Sequence, residues 1–349
     1  MLKSRWFIAV PVLAALLLPA FAQDTKKKDN KGPDKKKAAD KKEPEKAAAD
    51  TVDLKWKFEK GKAFYQTMTT TTDQNITVMN MKIPQKQTQT FYFKWEPKEQ
   101  KGTNWIVDQE IIGVKMDIQI GGNPITYDST NAGATASNPL SEFFKALVGS
   151  KFTLTINPAD EQNPVVEIQG KKAFLDKLVK ANQTMEPLLN QILSDDALKQ
   201  MADPAFAVVP GKPVAKGKSW TRESKLNMGP IGSYETKYTY TYDGKDEKTK
   251  LDKIKVETTL KYLPPSGDAG AGAASLPFKI KSADLKSKNA TGTILFDSAK
   301  GRVASSEMKL DLDGTLSIEI NGATTPVTLN QSQTTTMSTS EDNPVKKST

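Results

Sequence analysis

The chain has 349 residues, no cysteine, no histidine and a formal net charge of +9. Without cysteine it forms no disulfide bond, and without histidine it lacks the commonest general base and the commonest zinc ligand. More than half of the net charge precedes residue 51. No basic stripe with interleaved aromatic residues occurs, so nucleic acid is not an expected partner.

The N-terminus has the three parts of a secretory signal peptide. Lys3 and Arg5 precede an apolar run over residues 6–18, and an Ala-Phe-Ala cleavage site follows. The run is too short for a bilayer-spanning helix of about 20 residues. We predict a signal peptide over residues 1–22, cleaved after Ala22, and a mature protein that does not span a membrane. An uncleaved anchor is the alternative.

The next segment, residues 23–50, contains ten lysines, seven acidic residues and no large apolar side chain. Such a composition cannot bury enough apolar surface to order the chain, which predicts a disordered linker. The linker either acts as a solvated spacer or uses its lysines for weak contact with an anionic envelope polymer.

Alternating apolar residues predict strands from residue 51 onward. Residues 54–58 indicate a short strand, and long alternating segments follow. Within residues 105–120 the apolar phase changes between Ile111 and Ile112. Because a slip of one residue reverses the two faces of a strand, we predict a β-bulge there.

Apolar residues at spacings of three and four predict three helices in the middle of the chain. The first covers "NPLSEFFKALVG" (138–149), the second is centred on residues 174–179, and the third covers residues 185–193. Asp195 and Asp196 have the charge that favours a helix start. Packing against a sheet is the expected role of these helices.

Strands return in the C-terminal part of the chain. The stretch "GTILFDSAKGRVASSEMKLDLDG" (292–314) predicts a hairpin with its loop at residues 297–301. We expect the apolar face that continues over residues 308–320 to pack beneath the helices. Residues 264–275 have the composition of a flexible loop, and residues 341–349 are expected to form a loose tail.

Together these elements predict an α+β fold in a single domain over residues 51–340. About twelve strands joined by short turns form one large, curved antiparallel sheet, a meander or half-barrel. About three helices cover its concave face.

Two stretches resemble ligand-binding loops but fail on spacing. "GKPVAKGKS" (211–219) has five residues between its glycines where a phosphate loop has four. Placing Gly314 at the sixth position of a calcium loop puts Lys309 and Ile320 where acids belong. We therefore predict no cofactor, no metal and no catalytic residue.

Five stretches in order, over about residues 51–340, resemble an uncharacterised family of secreted bacterial proteins, a domain of unknown function. They are "LKWKFEKGKAFYQ", "GGNPITYDS", "FFKALVGSKFTLTI", "VVPGKPVAKGKSW" and "GTILFDSAKGRV". The pattern is more loosely similar to the LolA-like half-barrel carriers of lipids and lipoproteins. The resemblance implies a curved sheet that wraps helices, an apolar groove, and a location in the bacterial periplasm or cell envelope.

The expected function is non-catalytic binding of a lipid or other apolar ligand between sheet and helices. Tyr238, Tyr240 and Tyr242 share one strand face and are the candidate ligand-lining residues, because each joins an apolar ring to a hydroxyl group that needs a partner. A partly exposed sheet face is the alternative for them. For the whole protein, the alternatives are a secreted scaffold with a filled core and an enzyme with paired carboxylates.

Overall fold

The computed structural model describes residues 51–131, 141–161, 163–265, 278–320 and 322–345. The predicted signal peptide and linker lie outside the described residues. So do most of the loop predicted at residues 264–275 and the last four residues of the predicted tail.

Strands dominate the described part of the chain, which also contains four α-helices. The strands are β1 (Thr51–Val52), β2 (Phe64–Val78), β3 (Met81–Lys101), β4 (Asn104–Ile120), β5 (Asn123–Asp128), β6 (Lys151–Ile156), β7 (Val165–Gln169), β8 (Val214–Ala215), β9 (Ser219–Asn227), β10 (Ser233–Lys245), β11 (Asp252–Leu263), β12 (Lys279–Asp297), β13 (Arg302–Ile320) and β14 (Ala323–Ser340). The helices are α1 (Ser141–Leu147), α2 (Lys171–Ala181), α3 (Glu186–Ile192) and α4 (Asp195–Phe206).

Twelve of these strands form one antiparallel sheet, as predicted. Its order is β7-β6-β4-β3-β2-β14-β13-β12-β11-β10-β9, with β5 also paired to β4. The curved sheet is not closed, because β7 and β9, the outermost of the described strands, each pair on one side only. Strand β14 pairs with β2, which places the last long strand beside the first at the centre of the sheet.

The predicted β-bulge is present in β4. Tyr92 of β3 pairs with Gly113, but the next residue, Phe93, pairs with Ile111. Ile112 is therefore the extra residue. Because it shifts the alternation by one position, the apolar residues before and after it reach the same buried face.

The helices pack on one face of the sheet, which we call the inner face. Phe206 of α4 contacts Trp95 of β3 with ring centroids 5.6 Å apart, and Phe174 of α2 contacts Phe152 of β6 at 5.0 Å. Helices α1 to α4 exceed the predicted number by one. None of the described helices is long and apolar enough to cross a bilayer.

Residues 53–59 form an extended N-terminal strap rather than the predicted strand. The alternation correctly predicts its three buried side chains, Leu54, Trp56 and Phe58. Lys57 N donates a hydrogen bond to Gly301 O at 2.8 Å, in the loop between β12 and β13. Gly301 has a φ of 62°, and a Cβ there would lie 2.3 Å from the Lys57 side chain. The crossing of strap and loop therefore requires glycine.

The predicted hairpin of β12 and β13 is present, but its apolar face does not lie wholly beneath the helices. Met308 belongs to the main core with the helices, whereas Leu310 and Leu312 form a second cluster with Leu260 and Ala290. The reason is length. Strand β13 has 19 residues, and beyond Met308 its buried side chains cluster with residues of other strands.

Candidate functional site

A band of amide and hydroxyl side chains crosses the inner face at the centre of the sheet. This amide band lies on β3, β2 and β14 and comprises Thr72, Gln74, Gln85, Gln87, Gln89, Gln331 and Gln333. Each of these residues is buried, with 1–6% of its surface exposed. Strand β3 pairs with β2 without a register shift from Gln85 to Trp95, so the band faces the same side as Trp95 and the helices.

Strand pairing arranges the amide band in rows. In one row, Gln74 of β2 pairs with Gln85 of β3 and with Gln331 of β14. In the next row, Thr72 of β2 pairs with Gln87 of β3 and with Gln333 of β14. Directly paired residues of an antiparallel sheet lie on one face with Cβ atoms about 4.5–5.5 Å apart. The six side chains of the two rows therefore form a continuous polar patch.

Apolar side chains continue both rows on either side of the amide band. On β4 the rows reach Ile118 and Ile120, and on β13 they reach Leu310 and Leu312. We call these four residues the apolar flanks. The β4 flank packs with the main core and the β13 flank belongs to the second cluster. The band therefore separates two apolar regions of one sheet face.

The amide band leaves part of its own hydrogen-bonding capacity unused. Gln85 Nε2 donates to Gln87 Oε1 at 3.2 Å, and Gln331 Nε2 donates to Gln333 Oε1 at 3.3 Å. Among the described residues, Gln85 Oε1 and Thr72 Oγ1 are buried without a hydrogen-bond partner. An unpaired buried polar group costs about 1–3 kcal/mol, so these two atoms destabilise the fold unless a further group reaches them.

The chemistry of the amide band is neutral. Amides and hydroxyls donate and accept hydrogen bonds, but they carry no charge and are poor acids and bases at neutral pH. In the part of the chain that the structure describes, no group of three or more acidic side chains is placed to hold a metal ion. The arrangement fits an uncharged polar group held between two apolar surfaces.

The structure places the three tyrosines predicted to line a ligand on a different part of the inner face. Tyr238, Tyr240 and Tyr242 lie on β10 in the main core and are 3–6% exposed, so they do not form a partly exposed face. Tyr240 stacks on Trp220 and on Tyr238, with ring centroids 5.6 and 6.0 Å away. Their role in lining a ligand stays a prediction.

Tyr242 takes part in a buried polar network. Its hydroxyl donates to Asp252 Oδ1 at 2.8 Å, and burial together with this carboxylate raises the pKa of Tyr242. Asp252 is 0% exposed; it also accepts a hydrogen bond from Lys245 at 2.8 Å and one from Ser298. Asp252 begins β11, and its partners come from β10 and from the loop after β12, so the network ties these three segments together.

Arg222 is a second buried charge with partners inside the fold. It is 5% exposed, and its Nη2 atom donates to Val209 O at 2.8 Å and to Glu161 Oε2 at 3.3 Å. Burial lowers the pKa of this guanidinium. These contacts anchor the segment after α4 to β9, so Arg222 has a structural role.

A cleft of about 420 Å³ opens beside α1. Its lining is mixed in polarity and consists of Tyr127, Asp128, Ser129, Ser141, Glu142, Lys145 and Val148. The charged groups are engaged locally: Asp128 accepts a hydrogen bond from Thr130 at 2.6 Å, and Lys145 lies 3.8 Å from Glu142. Ser141 directly follows residues 132–140, which are not described. The cleft therefore defines no specific ligand.

The sequence interpretation missed the amide band, although the sequence contains a signal for it. Glutamine occupies every second position in "QKQTQ" (85–89) and in "QSQ" (331–333). Alternating polar residues normally indicate the solvent-facing side of a strand. Here the polar positions share their phase with Trp95 and the other core residues of β3.

An open antiparallel sheet with helices on one face defines the chain as a β-rich protein. It belongs to DUF6263, a family of unknown function, whose model matches residues 102–301. The predicted membership of an uncharacterised family is confirmed. The residues of the amide band lie outside the matched range.

The chain has only weak similarity to solved structures, and no curated protein matches it. A structure on lipid–protein interactions in lipovitellin matches with a TM-score of 0.40 and 9% identity, over 79% of this chain and 25% of that one. The chain thus spans a quarter of that protein. DynF from the dynemicin biosynthesis pathway of Micromonospora chersina matches with a TM-score of 0.20 and 9% identity, over 84% of this chain and 86% of that one. OccK7 of Pseudomonas aeruginosa has a TM-score of 0.21 and 8% identity, over 81% and 99%.

Proposed function

We propose that this chain is a non-catalytic protein of the bacterial cell envelope that binds a lipid or another largely apolar ligand on the inner face of its sheet. The observation that carries the proposal is the amide band between its apolar flanks. Acyl chains or other apolar groups would contact the flanks, and an uncharged polar group of the ligand would bind the band. Export through the predicted signal peptide over residues 1–22 is part of the proposal.

The unpaired atoms of the amide band support a binding role. For a filled scaffold, isosteric apolar residues would avoid the desolvation cost of Gln85 Oε1 and Thr72 Oγ1. A ligand hydroxyl or amide group can supply both missing hydrogen bonds. A charged ligand group would find no counter-charge in the band, and burying an unpaired charge is far more costly than burying a neutral polar group. The favoured ligand is therefore a neutral amphiphile.

The tight packing of the same face favours one second candidate, a scaffold without a ligand. Every residue of the amide band is at most 6% exposed, and the tyrosines of β10 are equally buried. Ligand binding therefore requires the inner face to open, whereas a scaffold needs no opening. The two functions predict different behaviour for variants of the band.

Thr72→Val is expected to stabilise the protein and to weaken ligand binding. Valine has the shape of threonine without the unpaired hydroxyl, so the free energy of unfolding should rise by about 1 kcal/mol. Loss of one hydrogen bond to the ligand should weaken binding about fivefold. Urea unfolding measures the first effect. The weaker binding is measured by the displacement of bound N-phenyl-1-naphthylamine, a fluorescent dye, by monoolein, a neutral acylated diol.

The neighbouring residue provides the matched control. Thr71 lies on the outer face, is exposed, and has its Oγ1 atom 3.5 Å from Thr88 Oγ1, so Thr71→Val should change neither stability nor displacement appreciably. If Thr72→Val stabilises the protein while the unaltered protein binds neither compound, the scaffold is correct. Native mass spectrometry of protein purified from its own envelope tests directly for a co-purifying ligand.

A further inference from the structure

The turn between β2 and β3 exposes two methionines at the end of the sheet. Met79 is 64% exposed and Met81 is 50% exposed; with Val166 they are the exposed large hydrophobic residues of the described chain. Isolated exposed apolar residues are common. Met79 and Met81 are separated only by Asn80 at one hairpin apex, and so form a single exposed apolar patch.

The backbone of this turn makes methionine an unfavourable choice. Met79 and Asn80 have φ angles of 48° and 63°, the left-handed conformation that two-residue hairpin turns require and that asparagine and glycine adopt most readily. Met79 is thus both strained in its backbone and exposed in its side chain. Neither property stabilises the monomer, which indicates that the side chain makes a contact outside the chain.

An apolar cluster lies directly behind the exposed apex. Ile76, Ile318 and Val327 form its buried centre. It is extended by partly exposed apolar side chains, namely Val78, Phe278, Ile280, Leu316, Ile320 and Leu329. We call the two methionines and this cluster the apolar tip. The apolar tip lies where β2 and β13 end and where β12 and β14 begin. Its buried residues form a cluster separate from the main core.

The charges around the apolar tip are mainly positive. Lys82, Lys279 and Lys281 lie there. The acidic residues beside them are Glu319, which is bound to Lys281 at 2.8 Å, and Asp284, which is bound to Lys286 at 3.2 Å. Juxtamembrane lysines are attracted to anionic lipids, and apolar side chains insert at the boundary between headgroups and acyl chains. A second copy docked tip to tip would instead bring like charges together. The charge pattern therefore favours a lipid surface over self-association.

We propose that the apolar tip docks on an anionic lipid bilayer, with Met79 and Met81 inserted below the headgroups and the lysines against lipid phosphates. Val78 and Met81 pair with each other, and Val78 pairs with Val327, in the same strand phase as the amide band. When the apolar tip is docked, the end of the inner face that is next to the tip therefore faces the bilayer. The proposal rests on the tip alone and does not require a ligand on the amide band.

Vesicle co-sedimentation of the full exported chain tests the docking. We expect binding to vesicles of phosphatidylcholine mixed with phosphatidylglycerol, and much weaker binding to pure phosphatidylcholine. The double substitution Met79→Ser and Met81→Ser should lower the partition coefficient about tenfold. Val166→Ser, which removes the third exposed hydrophobic residue at the sheet edge, should leave it unchanged. High salt screens the attraction of the basic segment before residue 51 to the vesicles. The binding that remains in high salt should still depend on the two methionines.

Insertion can be observed directly because the chain has no native cysteine. A nitrobenzoxadiazole label on Met79→Cys should shift its emission to the blue with the anionic vesicles, whereas the same label on Val166→Cys should not. Unchanged co-sedimentation of the double variant, together with an unshifted label at position 79, overturns the proposal. A blue shift that grows with protein concentration in the absence of vesicles also overturns it, because it identifies a second copy as the occupant.

Discussion

Replacing Trp56 by alanine is expected to lower the free energy of unfolding by about 3–5 kcal/mol. Trp56 lies at the centre of the N-terminal strap and is 9% exposed. Its ring centroid is 5.3 Å from that of Phe206 in α4 and 5.7 Å from that of Phe296 in β12. Its Nε1 atom donates a hydrogen bond to Phe206 O at 2.7 Å. Alanine would leave a cavity between helix and sheet and an unpaired carbonyl group.

Urea unfolding followed by circular dichroism measures this loss. Trp56→Phe keeps an aromatic ring and removes mainly the hydrogen bond, so it should cost less, about 1–2 kcal/mol. Lys55→Ala changes the neighbouring exposed residue of the strap and should have little effect. A Trp56→Ala variant as stable as the unaltered protein would mean that the strap does not anchor α4 to the sheet.

The strap shows how far local sequence patterns predict a structure. Alternation correctly predicts which side chains of residues 54–58 are buried. It does not reveal the hydrogen-bonding partner of the strap backbone, because the Gly301 carbonyl that accepts from Lys57 N lies more than 200 residues away in the chain. Burial depends on local periodicity, whereas the distinction between a strand and a strap depends on contacts that are distant in sequence.

The bulge at Ile112 was predictable for the same reason. A change of phase is visible within one strand, and the only local way to keep both apolar runs buried is an extra residue. The limit of the helical layer was not predictable in this way. Leu310 and Leu312 continue the alternation of Met308, but only the three-dimensional arrangement shows that they leave the main core and pack with Leu260.

The amide band could be predicted from the sequence only in part. The glutamines of β3 alternate visibly, but their alignment with Gln331 and Gln333 requires the pairing of β14 with β2. That pairing joins residues about 250 positions apart. Strand order and register between such distant segments are not encoded in local composition. The polar patch, its apolar flanks and its unpaired atoms therefore emerge only from the assembled sheet.

Raising the pH above about 10 is expected to unfold the protein, because buried tyrosines must ionise. Burial raises the pKa of Tyr234 to about 12. It also raises the pKa values of Tyr238 and Tyr240, in the latter case against the opposing influence of Arg222. Burial and the neighbouring Tyr234 raise the pKa of Tyr262.

The sign of the effect follows from proton binding. A tyrosine in the unfolded chain has a pKa of about 10, so above this pH the folded state binds more protons than the unfolded state. The stability contributed by these residues is fully present below pH 10 and is lost as the pH rises through their folded pKa values. Each difference of one in pKa corresponds to about 1.4 kcal/mol. Because the pKa values of all these tyrosines are raised, their contributions act in the same direction, against a typical total stability of about 5–15 kcal/mol.

Urea midpoints between pH 8 and about pH 12, recorded with tyrosinate absorbance, test this prediction over the range of the raised pKa values. Absorbance should rise together with unfolding and not before it. Replacing Tyr234 and Tyr240 by phenylalanine keeps both rings and removes two ionising groups, so stability should fall less steeply with pH. Lysines also lose their charge in this range, and their loss of ion pairs would act on both proteins alike. An equally steep fall in the double variant would therefore assign the alkaline instability to lysines rather than to buried tyrosines.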